Sequence, residues 1–490
     1  MKTCRNDRDC ADGCIEKLEG LFSLVDTGEL FTGRDAASLM RMRQDAADAL
    51  HRLLVWERPL LEEAKGIVWP YRRLQQGLGF FKDHAEQKKN GFTRLQARLF
   101  LALLPFPTQW EWLLRLQDEL REEPEIRAFL LQESLDIQRK IAGKPQARYK
   151  LRHFCQILKE PKGSNEKGVL RIFALPYLLV HPGLLSALSR RYVLFVEPPM
   201  GVVYRHAWWR HFSLLDDPCL FGVHADEDVD FLRGQTGVEP IQLAHGDFLE
   251  DIDWRKTNEE KIYDVVFNAT FDDLPRKRHF LMLELLDHPL LIEKRVLFLG
   301  RGQHENVQEM KLQVRKMGLE GRVTILANLK RSEVPVMLSR SRMGVHLSLY
   351  ENACRSIFEF FRSNLPCVAS SSMGGMNLRI FNDRTGLAVP DRELPQAIAF
   401  VSAYPDAYEP RRWFLESSGS SNSTEKLNRV LRHFFEQRGY SWTEDIVPLG
   451  SSGATRYVDP SDYERFRAEF EWLLKCFEKR GDRSMSFHIE

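Results

Sequence analysis

Apolar and polar positions follow two different rhythms along this chain. From Ala36 to Trp56 the apolar residues Leu39, Met42, Ala46, Leu50, Leu53 and Leu54 recur on one helical face. Leu60 to Phe81, Thr93 to Leu104, Trp110 to Leu120 and Ile126 to Ile141 repeat that spacing, so 36–158 is expected to be an all-α module. Its tryptophans, Trp56, Trp69, Trp110 and Trp112, read as packed core. Residues 1–35 carry no comparable period and are expected to be flexible. Ala142 to Lys167, with Gly143, Pro145, Pro161, Gly163 and Ser164, reads as a linker.

Beyond the linker the pattern becomes short apolar runs alternating with helical segments. Runs starting at Val169, Tyr192, Cys219 and Ile241 predict four strands in a small lobe, 168–258. Runs starting at Tyr263, Val296, Val323, Gly344 and Pro366 predict five more in a lobe of residues 262–408. Strands and helices that alternate this closely imply parallel sheets with helices on both faces, an α/β class of two Rossmann-like lobes. Such sheets bind ligands beyond the carboxyl ends of their strands, where Arg301, Glu351 and the loop from Ser370 to Gly375 fall. Glu409 to Asn422 includes a Ser/Gly-rich stretch that reads as a flexible connection. Tyr463, Phe466, Phe470, Leu473 and Phe477 predict an amphipathic helix within 424–480.

Totals narrow the picture. The 490 residues allow two or three domains, and 43% hydrophobic with 28% charged residues is ordinary for a soluble protein. A net charge of +1 gives no overall field for nucleic acid, and none is expected as a partner. One stretch, from Ile172 to Ser189, is long enough and uncharged enough to span a membrane, but it contains Pro176, Pro182 and Gly183. No transmembrane segment is expected, and peripheral membrane contact stays open. The first twenty residues are polar, unlike a signal peptide. Cys4, Cys10 and Cys14 cluster without a fourth ligand for a metal. The other five cysteines are scattered singly, which suits reduced thiols and a cytoplasmic location. Neither a metal nor a cofactor is expected.

The candidate chemistry concentrates in Glu351-Asn352-Ala353-Cys354-Arg355-Ser356-Ile357-Phe358-Glu359. A helix N-terminus offers unpaired N–H groups to a diphosphate, and a carboxylate accepts paired hydrogen bonds from sugar hydroxyls. Eight helical residues rise about 12 Å, so Glu351 and Glu359 are placed to hold opposite ends of an extended ligand. On spacing alone, two solvated helix carboxylates are the commoner explanation, since spaced glutamates are common on helix surfaces. In the first lobe, Glu197, His206, His224 and His245 sit at predicted strand ends and are candidates for chemistry.

The second lobe resembles the retaining GT-B glycosyltransferases of the "group 1" (family 4) type. The resemblance rests on the ordered series Gly300-Arg301-Gly302, Gly318-Leu319-Glu320-Gly321-Arg322-Val323, Glu351 with Glu359, Pro366-Cys367-Val368-Ala369 and Gly386-Leu387-Ala388-Val389. It is weaker in the first lobe, which looks reduced. It implies a hexose donor on Glu351, ribose hydroxyls on Glu359, and a leaving diphosphate met by Lys277 and the start of the helix at Asn352, Ala353 and Arg355, with Arg276, Arg278 or Arg301 supplying the charge missing at Thr270. It also implies a first-lobe catalytic histidine, for which His206 is the preferred position, acting with Glu351. The C-terminal helix would cross back onto the first lobe. Partners would be a nucleotide-sugar donor and a glycan, lipid-linked or protein acceptor, in glycan or polysaccharide synthesis and without a metal. The sequence departs from the family at Asn352, where Gly is usual, and at Thr270, where Arg is usual. Those departures motivate an alternative, a non-catalytic nucleotide-sugar sensor or scaffold on the same fold.

Overall fold

In a computed structural model the described residues are 155–173, 182–198, 217–233, 237–251, 259–450 and 457–481, with scattered positions outside these ranges. Most of the expected helical module, and His206, lie outside them. The chain divides into two compact units. The first takes residues 1–222, 227–241 and 466–490, and the second takes 223–226 and 242–465.

The first unit carries a five-stranded sheet in sequential order β1-β2-β3-β4-β5. Its strands are β1 (Cys155–Lys159), β2 (Gly168–Ile172), β3 (Tyr192–Val196), β4 (Cys219–Gly222) and β5 (Val238–Ile241). Strand β1 corrects the expected linker. Cys155-Gln156-Ile157-Leu158-Lys159 is buried throughout and pairs antiparallel with β2, so the Pro161–Gly163 turn signals closed a hairpin. Strand β5 lies three residues earlier than expected because it contains Pro240. As the last strand of the sheet it tolerates a residue with no N–H to donate. Helix α1 (Pro182–Arg191) joins β2 to β3, and α2 (Asp226–Arg233) follows β4.

The second unit carries six parallel strands: β6 (Tyr263–Asn268), β7 (Val296–Gly300), β8 (Val323–Ala327), β9 (Ser341–His346), β10 (Cys367–Ser370) and β11 (Gly386–Val389). Its order is β11-β10-β9-β6-β7-β8. Between them run α3 (Leu274–Lys277), α4 (His279–Leu285), α5 (His304–Lys316), α6 (Val334–Ser339) and α7 (Arg355–Arg362), and α8 (Leu394–Ala403) follows the last strand. Both faces are covered by apolar clusters, one built on Phe267, Phe298, Met343 and Val345, the other on Val266, Leu297, Ile357 and Phe360. Burial on both faces explains why these strands read as continuous apolar runs.

The expected flexible connection is instead two helices, α9 (Pro410–Ser417) and α10 (Gly419–Gln437). Ser420, Ser423 and Thr424 are buried. The Ser420 N–H donates to the Leu249 carbonyl and its hydroxyl to the Leu449 carbonyl. Small polar residues here let a helix sit close against backbone rather than marking a loose chain. Helix α10 belongs to the second unit. After α11 (Ser461–Arg465), α12 (Arg467–Gly481) joins the first unit, where Glu469 pairs with Arg191 and accepts from the Tyr192 hydroxyl. Among the described residues no helix is long and apolar enough to cross a membrane.

Candidate functional site

Strand order decides where a ligand enters the second unit. Counted within its own sheet, the order is 3-2-1-4-5-6, so successive crossovers reverse direction between β6 and β9. Helices then leave these two strands on opposite faces and a crevice opens at their carboxyl ends. Strand β6 ends at Asn268 and β9 at His346.

Side chains of both signs converge there. Helix α3 starts with Pro275 in its first turn and is stopped by Arg278, whose left-handed backbone (φ 56°) caps it. That stop leaves Lys277 buried, with its ammonium on the Glu351 carboxylate. Arg276 donates to Glu351 Oε1 at 3.2 Å and to the Tyr350 carbonyl at 3.0 Å, and lies 5.4 Å from the centre of the Tyr350 ring. Backbone ties hold the parts in place: the Leu349 N–H donates to the Arg276 carbonyl, and the Glu351 N–H to the Gly374 carbonyl. Burial alone would raise the Glu351 carboxyl, but Lys277, His346 and Arg276 hold it well below the usual range. Glu351 is therefore an anion enclosed by cations.

The helix starts later than the sequence implied. Ala353 adopts a left-handed φ of 49° and Cys354 is the N-cap, so α7 begins at Arg355 and Glu351 lies in the preceding loop. The expected helical rise from Glu351 to Glu359 does not apply. Space is tight here: a Cβ on Gly246 would come within 2.3 Å of the Ala353 carbonyl oxygen. Glu359, one turn into α7, accepts from Asn268 Nδ2 at 3.2 Å and from Arg355 Nε at 3.0 Å. It thus reaches the end of β6, on the strand where the crossover reverses.

The remaining expected residues divide. Asn352 and Ala353 are buried in the loop beside Glu351. Arg301 is exposed just past β7, and its carbonyl accepts from Thr270 Oγ1 and the Phe271 N–H. Thr270, where the family's Arg is usual, caps the turn of residues 271–273. Of the basic residues nearby, Arg276 turns to Glu351 while Arg278 pairs with Asp391. In the first unit Glu197 is buried against Arg171, a structural pair. His224 belongs to the second unit, where its Nδ1 accepts from the Asn377 N–H at 2.9 Å.

The sequence reading missed His346 and Cys354. His346 Nε2 lies 3.4 Å from Glu351 Oε1, and its Nδ1 lies 3.9 Å from Cys354 Sγ. Among the described residues these three form the one group of ligand-type side chains within 4.8 Å of one another. The imidazole stands between the other two in a relay of contacts, and Glu351 is also engaged by Lys277. Only the residue types signalled it, since no spacing pattern joins a strand end to a helix cap.

The second unit is thus a doubly wound α/β fold with an ion-paired crevice at its crossover point. Residues 252–402, from ahead of β6 almost to the end of α8, match the family of glycosyl transferases group 1. This is less than a third of the chain. Among solved structures, sucrose-phosphate synthase from Thermosynechococcus elongatus is similar over 55% of this chain and 73% of that one, at 19% identity and a TM-score of 0.43. HepE of Anabaena, in complex with UDP, is similar over 54% and 78%, at 14% identity and a TM-score of 0.43. A TarM mutant of S. aureus, solved with UDP among its ligands, is similar over 52% and 54%, at 13% identity and a TM-score of 0.41. The chain spans about half the length of that last protein. No curated protein matches it.

Proposed function

We propose that the chain is a retaining GT-B glycosyltransferase that moves a hexose from a nucleoside-diphosphate sugar to an acceptor hydroxyl. The carrying observation is the Lys277–Glu351–Arg276 cluster at the β6/β9 crossover, inside the segment that matches the glycosyl transferase family. An ammonium has three N–H donors, and Lys277 gives one to Glu351, leaving others for a diphosphate. Two cations aimed at a leaving group whose charge grows in the transition state supply the stabilisation this reaction most needs. Asn352, Ala353 and Arg355 lead into α7, whose N-terminal N–H groups add a further positive end. Arg301 supplies a third charge from the end of β7.

In this reading Glu351 orients the donor hexose and Glu359, beside Asn268, takes the ribose hydroxyls. His206 is the proposed catalytic partner of Glu351. The acceptor belongs to a glycan, a lipid-linked glycan or a protein, and the leaving phosphate helps deprotonate it, so no metal step is invoked. A cytoplasmic setting suits the free thiols Cys155, Cys219, Cys354, Cys367 and Cys476. The sensor alternative draws support from the way Glu351 and Glu359 are both engaged by side chains of the protein itself. Turnover separates the two. Purified full-length protein given UDP and GDP sugars should release nucleoside diphosphate and form product with the donor's anomeric configuration. Tight nucleotide binding without hydrolysis or transfer across a broad acceptor set would favour the sensor.

A further inference from the structure

Behind Glu351 lies a second chemistry that sugar transfer does not use. Strand β9 delivers His346 between the Glu351 carboxylate and the Cys354 thiol, one ring nitrogen toward each. Cys354 is the N-cap of α7, where unpaired N–H groups favour negative charge. Its Sγ is also 3.1 Å from Ser356 Oγ, and its N–H donates to Met376 Sδ. Groups facing the thiol are His346 on β9, Glu351 in the loop, Lys277 at the end of α3 with Arg276 behind it, and Cys367 on β10.

The other buried cysteines make the contrast. Burial pushes the Cys155 thiol up to about 12 and raises those of Cys219 and Cys367 as well. At Cys354 burial and the Glu351 charge act in the same upward direction, yet His346 and Lys277 outweigh them and bring the thiol down. Cys354 also keeps 7% of its surface exposed, against 0% for Cys155 and Cys367 and 1% for Cys219.

We propose that Cys354 is a modification site, a reactive thiol gripped by His346 that peroxides and small electrophiles attack, with loss of nucleotide-sugar binding as the consequence. With hydrogen peroxide, the thiolate sulfur takes one oxygen: an S–O bond forms and the O–O bond breaks. The departing hydroxide takes the proton from His346 and leaves as water. Sulfur is oxidised by two electrons to the sulfenic acid, and peroxide is reduced by two. A neutral His346 keeps only an uncharged Nε2–H toward Glu351 and holds it more weakly, and the oxygenated sulfur crowds the start of α7. The reactivity follows from the relay alone. Its effect on binding rests on the donor site proposed above.

Two measurements on the full-length protein test this. Iodoacetamide labelling from pH 5 to 10, read peptide by peptide by mass spectrometry, should modify Cys354 at least ten times faster than Cys155, Cys219 or Cys367 at pH 7. Its midpoint should lie below the ordinary thiol value of about 8.5. His346→Gln should move that midpoint up to or above the ordinary value, with circular dichroism reporting an intact fold. Equal labelling of all four, or an unmoved midpoint in folded His346→Gln, overturns the proposal. In the second measurement, UDP affinity should fall at least tenfold after peroxide and return with dithiothreitol, whereas Cys354→Ser should keep its own untreated affinity. A wild-type affinity untouched by peroxide, with sulfenylation verified at Cys354, overturns the inhibitory half. Absence of UDP binding in any state would refute the donor reading, and the labelling profile would still judge the thiol.

Discussion

The two sheets of this protein use buried ion pairs for different ends. In the first sheet the strands follow one another in order, and its charges pair at once: Arg171 with Glu197 and Gln156, Lys159 with Glu166. In the second the order reverses at β6 and β9, and the pair at the reversal, Lys277 with Glu351, sits where a crevice must open. All three pairs are buried, but the first-sheet pairs are sealed, at 0–4% side-chain exposure, while Lys277 and Glu351 each keep 9%. What separates a structural pair from a candidate site is topology, together with that residual exposure, and not charge.

The largest effects should come from removing the cation of each pair. Lys277→Ala should lower turnover by roughly 10²–10³-fold, the usual cost of one donor aimed at developing charge, measured in a donor-hydrolysis or transfer assay. Arg171→Ala should cost about 3–5 kcal/mol of stability in a denaturant titration by stranding Glu197. Nucleotide affinity per folded molecule should not change in it. If Arg171→Ala abolished binding in folded protein, the distinction between the sheets would be lost.

Acid should act on the second unit through His279. This ring is buried among Phe267, Phe271 and Phe298, and burial, helped by the charges of Lys277 and His346, depresses it to about 3. Between its ordinary value near 6.5 and 3, the unfolded chain holds a proton that the folded chain refuses. Stability from this group is therefore full above 6.5 and falls with pH by about 1.4 kcal/mol per unit below it. Denaturation midpoints followed from pH 7 to 4 should show that slope, and His279→Phe should reduce it. Glu359→Ala should weaken nucleotide binding by about 1.5–3 kcal/mol, the worth of a charged hydrogen bond, by calorimetry. Arg301→Ala, at an exposed position, should cost about 1 kcal/mol or less and lose that effect in high salt.

Much of the second sheet could be read from its sequence because strands buried on both faces leave unbroken apolar runs, as at Val296–Leu299 and Val323–Leu326. Lys277, Glu351 and Glu359 stood out through residue type and order. Strand β11 carries a motif but a weak strand signal, since Gly386-Leu387-Ala388-Val389 is short and only partly buried. Helix α10 escapes the sequence pattern because serine signals loops in general and close backbone approach only in context. The His346–Cys354 relay and the left-handed Ala353 depend on where β9 ends and α7 begins, and those boundaries are set by tertiary packing.

The central claim is that a nucleoside-diphosphate sugar occupies the β6/β9 crevice against Lys277 and Glu351. Calorimetric titration of the full-length protein and Lys277→Ala with UDP and GDP tests it most directly. The account predicts saturable binding of at least one nucleotide by the wild type and a loss of tenfold or more in folded Lys277→Ala. Equal affinity in the two proteins, or no binding of either nucleotide by the wild type, would contradict it.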